Sequence, residues 1–362
     1  MPTKRLPASA DINHLKHQAK DLLADFRAGQ MAALQRVREF HPKMTGLPDA
    51  ELKRQTFALS DAFLSIAREY GYSSWPRLKE VLAEARSEEL ELSHNERIED
   101  TAFRQAIDFM DEGNAAALQK HLADHPGLIH QTAKFEGGNY FVTPTLLEFI
   151  AENPMRQNKM PANVVEIARI LLEAGAKTNQ TALDETVMLV ASGQVAREAK
   201  AQNPLLSALC AHGADPNAGM HAALAHKELA SARHLLSLGA ELTIEAAAVL
   251  SRTSELQGML RSADQDALQS ALALAALQND GTVITMILRA GADPNRYNPP
   301  GGHSHCTPLH SAAHDGNLDT VKALIAGGAR TDIGDIHHGA TAVQWARHVG
   351  QKEVLEYFVS LT

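Results

Sequence analysis

Aromatic side chains are scarce, at 5% of the chain, and runs of alternating Val, Ile, Thr and Tyr are hard to find. A β-sheet core therefore has few of its usual residues to draw on. Cysteine occurs twice, at Cys210 and Cys306, far apart and in no CxxC pair. That argues against a disulfide framework and fits a reducing compartment. No block of Lys or Arg stands out and the formal net charge is -9, so the electrostatic footprint of a nucleic-acid binder is missing. No apolar stretch follows the two basic residues of MPTKRLPASADINH, and the longest apolar run, ALALAALQ (271–278), is too short to span a bilayer. Neither a carboxylate–histidine motif nor a Gly-rich phosphate loop is present. The expectation is a cytoplasmic protein without cofactor, membrane contact, nucleic-acid partner or small-molecule substrate.

What the chain does have is alanine and leucine, residues that lose little rotamer freedom in a helix. With 44% hydrophobic and 21% charged residues it can bury a sizeable core. The first 95 residues read as a small helical domain. Leu15, Ala19, Leu22, Leu23 and Phe26 share one face of a helix over 12–28, with Asp11 placed to cap it and Gly29 to end it. A second helix is expected over 31–40, stopped before Pro42, and a third over 49–70, ended by Gly71. Ser74 and Pro76 open a fourth, in which Trp75 reads as core rather than as a ligand-stacking ring. Residues 86–97 are charged and read as a link. Lys16, Lys20 and Arg68 form no recognisable constellation and read as a solvated face, so an activity carried by this domain is only a third alternative.

The rest of the chain repeats itself. A leucine-rich helix followed by Gly-Ala and a polar residue recurs as LLEAGAKTN (171–179), LCAHGADPN (209–217), LLSLGAELT (235–243), LRAGADPN (288–295) and LIAGGARTD (324–332). The glycines are Gly175, Gly213, Gly239, Gly291 and Gly328, with separations of 38, 26, 52 and 37. Since 52 is twice 26, a degenerate unit is expected between Ile244 and Asp266. FRQAIDFMDEGNAAALQKHLADHP (103–126) reads as a divergent first unit. A lone helix pair cannot bury both of its faces, so such units stack and share a continuous core.

One unit is clean: TPLHSAAHDGNLDTVKALIAGGARTD (307–332). It resembles the ankyrin repeat, with its TPLHxA signature and period of about 33 residues. TAVQWARHVGQKEVLEYFVS (341–360) resembles the next unit more loosely. The resemblance implies an all-α helical repeat solenoid with short hairpin fingers over 96–362, clearest over 271–362 and degenerate over about 100–270. With the leader segments AKDLLADFRAG and REYGYSSWPRLKEVL, the whole resembles bacterial ankyrin repeat proteins with an N-terminal helical domain. The signature residues carry structural jobs. Thr307 caps and Pro308 starts the first helix, while Leu309, Ala312 and Ala313 allow close packing. His310 is expected to hydrogen-bond within and between units, and Gly316 and Gly328 end the two helices. The spacing of 26 predicts a finger-poor middle, and the spacing of 37 an enlarged finger over 296–306.

The family implies protein binding rather than a reaction. Recognition is expected in the concave groove and the last fingers, at Arg296, Tyr297, His303, His305, His314, Asp315, His337, His338, Trp345 and His348. Aligning Thr307 with Thr341 sets His303 opposite His337, so His303, His305, His337 and His338 are expected to cluster. A metal site on these four, in a metal-binding protein or metal-dependent hydrolase, is the alternative reading. HSAAH has the i,i+4 histidine spacing of a zinc helix but carries Ser311 where the catalytic glutamate would stand. Apolar Leu355, Phe358, Val359 and Leu361 of the last helix would permit self-association if exposed.

Overall fold

The protein, described by a computed structural model, is defined for Lys4 and for residues 12–91, 95–134 and 141–361. Asp11, the expected first cap, lies outside the described residues. The chain forms two compact units, residues 1–97 and 98–362. Among the described residues there is no strand; two isolated bridges, Thr132 with Thr145 and Gly334 with Thr341, are the only extended pairings. No helix among them is long and apolar enough to cross a membrane.

The first unit packs α1 (Ile12–Arg27), α2 (Met31–Phe40), α3 (Asp49–Leu52), α4 (Leu59–Glu69) and α5 (Trp75–Glu91) around one core. Leu15, Ala19, Leu22 and Phe26 of α1 are buried against Leu34, Val37 and Ile66, as their helical spacing requires. The single helix expected over 49–70 is broken. Phe57 turns inward to meet the Phe26 ring at 4.4 Å, and the freed Ala58 N–H donates to Asp61 Oδ2 at 2.9 Å, restarting the helix. Burial of one aromatic ring outweighs six residues of helical continuity. Trp75 is half-buried and stacks on Phe63 at 4.5 Å, and α5 runs on to Glu91, into the charged segment read as a link. Glu69, buried, receives Lys4 at 3.0 Å and both Arg36 nitrogens at 3.2 and 2.6 Å.

The second unit is a stack of helix pairs. It opens with α6 (Thr101–Asp111) and α7 (Ala115–Asp124), followed by a one-turn 3-10 helix at Glu148–Ala151 and α8 (Val164–Ala174). Next come α9 (Gln180–Ala191), α10 (Gln194–Glu198) and α11 (Gln202–Ala211). Five hairpins follow: α12 (Met220–Ala225) with α13 (Leu229–Ser237), α14 (Ile244–Val249) with α15 (Thr253–Met259), α16 (Gln265–Ala275) with α17 (Gly281–Arg289), α18 (Pro308–Asp315) with α19 (Leu318–Ala326), and α20 (Ala342–Val349) with α21 (Lys352–Ser360). The α14/α15 pair occupies the interval where the spacing left room for a hidden unit. First helices stack on first helices, α14 on α16 and α18 on α20, and second on second, α17 on α19. Small residues make this possible: Ala271, Ala275, Ala312, Ala313 and Ala346 are all buried along the first-helix row. In α19 the buried stripe is Thr320, Val321 and Leu324, while Ile325 is only half-buried.

Connector lengths explain the spacings. Residues 238–243 and 260–264 join the middle pairs directly, whereas 290–307 and 327–341 leave room for fingers. A box at the start of the first helix recurs in three units. The Thr307 N–H donates to His310 Nδ1 at 3.2 Å, the Thr341 N–H to Gln344 Oε1 at 2.7 Å, and the Thr145 N–H to Glu148 Oε2 at 2.6 Å. Thr145-Leu146-Leu147-Glu148 is thus the divergent counterpart of the TPLH segment. Glu148 is buried, and burial, reinforced by nearby Glu185, pushes its carboxyl up to about 7 despite the Thr145 hydrogen bonds. A raised acid stabilises the fold fully below its unfolded value near 4.5, and that contribution is lost as pH rises through about 7. Such a displacement is worth at most ~3 kcal/mol, reduced to roughly 1–2 kcal/mol by solvent screening. Glu148→Gln, which keeps an acceptor for Thr145, should flatten the fall in denaturant midpoint between pH 5 and 8; an unchanged slope would rule Glu148 out as its source.

Several of the tight turns between helices use a left-handed residue. Gly316 and Gly350 supply it in the last two pairs, at φ 74° and 80°. Lys200, Lys227 and Ser251 take the same conformation in the middle of the array, at φ 56°, 59° and 52°. A side chain there costs of order 1 kcal/mol. Lys200→Gly should therefore raise stability by about 0.5–1 kcal/mol, measurable as a higher urea midpoint with unchanged m-value.

Candidate functional site

The last two fingers and the first helices beneath them hold a continuous group of rings. His305 stacks on His337 with centroids 4.8 Å apart, His303 meets His305 at 6.0 Å, and His338 meets His337 at 6.3 Å. Trp345 of α20 lies behind them, 5.7 Å from His305, 5.3 Å from His310 and 5.9 Å from His314. The four finger histidines do come together, but not in the expected register. His305, not His303, opposes His337. The tight turn in which the Cys306 N–H donates to the His303 carbonyl shortens the approach to Thr307, and the Ile336 N–H then pairs with the His305 carbonyl at 2.8 Å.

Asp335 organises this face and has no counterpart in the sequence expectations. It is buried at the base of the second finger. Its Oδ1 accepts the His337 and His338 amides at 2.9 and 2.7 Å, and its Oδ2 accepts the Ala340 amide at 3.2 Å and the Trp345 indole at 2.9 Å. Burial alone would raise this carboxyl, but those four donors outweigh it and hold it down at about 2. An aspartate two and three residues ahead of the amides it accepts is an Asx-turn signal, readable in DIHHG. Ile336, between Asp335 and His337, is 61% exposed at the finger tip.

His310 serves as a brace. Its Nδ1 accepts from Thr307, so Nε2 carries the hydrogen and donates to the Ala340 carbonyl at 3.0 Å, tying one unit to the next. Burial lowers its basicity, as it does for His305, whose imidazole neighbours His337 and His303 lower it further. Cys306 is fully buried against Ser311 and Asn298, and burial raises its thiol, which disfavours the thiolate form.

The other expected binding residues are exposed or half-buried, and three of them are held by polar contacts. Asp315 is held by Lys227 at 2.6 Å, 88 residues away, and by His314 at 2.9 Å. Tyr297 braces the fingers through its hydroxyl to the Gly334 carbonyl at 2.7 Å, and Arg296 pairs with Asp266 at 3.1 Å. His348 is exposed on α20 and makes no ring contact with the cluster among the described residues. The enlarged finger does not simply project. Its Gly301 carbonyl lies 3.3 Å from His221 Nε2 on α12, and Gly302 packs near Ala273, so part of it lies back over the first-helix row.

The four histidines His303, His305, His337 and His338 are arranged through ring contacts. The central pair, His305 and His337, is stacked with an interplanar angle of 26°. Among the described residues no three His, Cys, Asp or Glu side chains are arranged to hold a metal.

A family model for ankyrin repeats, in three copies, matches residues 272–362. Those residues run from the end of α16 through the last two hairpins and carry the whole ring cluster. Residues 272–362 are ankyrin repeats. The repeats are similar to cyclin-dependent kinase 4 inhibitor B of Bos taurus, 35% identical over 81 residues, which is 22% of this chain and 59% of that protein. They are also similar to cyclin-dependent kinase inhibitor 2A of Homo sapiens, 33% identical over 81 residues, 22% of this chain and 49% of that protein. The chain thus spans about half to three-fifths of the length of these curated relatives, and the similarity is that of the ankyrin repeats.

Proposed function

We propose that the protein is a non-catalytic interaction scaffold that binds a partner protein through the face formed by its last two fingers and the first helices α18 and α20. The observation that carries this reading is the ring cluster of His303, His305, His337, His338 and Trp345 with exposed Ile336 at its edge, placed on the two C-terminal ankyrin repeats. Aromatic anchors in a preorganised surface are what interface hot spots are made of. The relatives support the reading, since each is named an inhibitor of a kinase, a protein that acts on another protein. The proposal extends the ankyrin array over 96–362 and treats residues 1–95 as a separate helical domain.

A photo-cross-linking amino acid at Ile336, compared with one at Lys322 on α19, tests the surface in cells that make the protein. A discrete protein adduct from position 336 and none from 322 is expected. Adducts from 322 alone, or from neither position, would remove this face from consideration.

A further inference from the structure

We infer that the finger-histidine face recognises an acidic peptide segment, and that it does so more tightly as the imidazoles gain protons. This deepens the interaction reading and rests on it.

The charge arrangement around the rings points that way. The carboxylates packed against the cluster are already engaged. Asp335 is enclosed by four N–H donors, and Asp315 holds Lys227 and His314. Two rings have a carboxylate near them: His314 at 2.9 Å from Asp315, and His338 at 3.7 Å from Asp335. His303, His305 and His337 form no ion pair within 4 Å among the described residues, although the Asp335 carboxylate acts on His305 from further away. Arg296 is paired with Asp266, Arg330 with Asp332, and Tyr297 with a backbone carbonyl. From α20 the face receives the uncharged Trp345, while exposed Arg347 and His348 add no carboxylate.

A proton arriving on His305 or His337 sits 4.8 Å from another imidazole, and the carboxylate that acts on His305, Asp335, is already bonded to four N–H donors. A carboxylate brought by a partner adds a counter-charge that is not tied up by amides, and the exposed Ile336 offers an apolar contact. Linkage makes the effect reciprocal: protonation tightens binding of the acid, and the bound acid makes the rings easier to protonate. The chain's overall charge of -9 repels acidic peptides at long range, so any binding must come from this local group.

The test uses the full chain and a heptapeptide of six glutamates with a central leucine, beside its glutamine counterpart and a short thymidine oligonucleotide. Trp345 reports binding by fluorescence once Trp75, the other tryptophan, is replaced by Phe. The glutamate peptide is expected to bind at least about tenfold tighter at pH 6.0 than at pH 8.0, the interval in which histidine changes charge. The glutamine peptide should show no such change. His305→Gln with His337→Gln should abolish the pH dependence while thermal melting stays as in the parent. Equal affinity at both pH values, no binding at pH 6.0, unaltered pH dependence in the double variant, or preference for the oligonucleotide would each overturn the inference. The cross-linking result from Ile336 stands apart from these outcomes, so losing the acidic partner and losing the interaction face are separable.

Discussion

Glu152→Ala should cost the repeat unit about 3–5 kcal/mol, the largest single effect expected outside the apolar core. Glu152 is buried and left-handed, and its Oε1 accepts three successive amides, Arg156 at 2.7 Å, Gln157, and Asn158 at 3.0 Å. Its Oε2 lies 2.9 Å from the Arg156 guanidinium, which is 2% exposed, grips Asp111 through both terminal nitrogens at 3.0 and 2.8 Å, and covers the Phe149 ring at 5.0 Å. Removing the carboxylate leaves three amides without their acceptor and takes one of its two carboxylate partners from the buried Arg156 guanidinium. Glu152→Gln retains an acceptor for the amides and should recover part of the loss. Equilibrium urea unfolding of the two variants checks this, and a Glu152→Ala cost below about 1 kcal/mol would mean the loop is held by something else.

The second large effect is local. Asp335→Ala removes the acceptor of four N–H groups and should cost about 2–4 kcal/mol, concentrated in the second finger. Hydrogen exchange at 335–341 should accelerate while the core of α18 and α19 stays protected, and Trp345 emission should shift to the red as its indole loses its partner. Because this carboxyl is held down at about 2, its contribution is present above its ordinary value of 3.8 and is lost as pH falls toward 2. Uniform loss of protection through the whole array would show that Asp335 acts as a global strut instead.

Much of the architecture was readable because repeats write it redundantly. The Gly-Ala marker after each leucine-rich helix, the Thr cap and the halved spacing led to the helix pairs, down to α14 and α15 where no signature survives. The histidine cluster was readable for the same reason: stacked units bring equivalent fingers together. Its register was not, since one tight turn before Cys306 shifts the finger and exchanges His303 for His305. The contacts that cross the array were also hidden. Lys227 meets Asp315 and His221 meets Gly301 across 88 and 80 residues, and such pairings leave no periodic trace. The Arg156 network is hidden in the same way, because ENPMRQN carries loop chemistry and no pattern. Phe57, which broke a helix that spacing favoured, shows tertiary burial overriding local preference.

The Lys227–Asp315 bridge changes how the array answers to force. A helical solenoid behaves as a spring whose compliance is shared among its nearest-neighbour contacts. Here one ion pair joins the turn after α12 to the end of α18, with the α14/α15 and α16/α17 pairs enclosed between the two anchor points. Tension applied at the two ends of the repeat unit is then carried in parallel by the enclosed pairs and by the bridge. The bridge would give way at a lower extension in high salt, leaving a longer and softer coil.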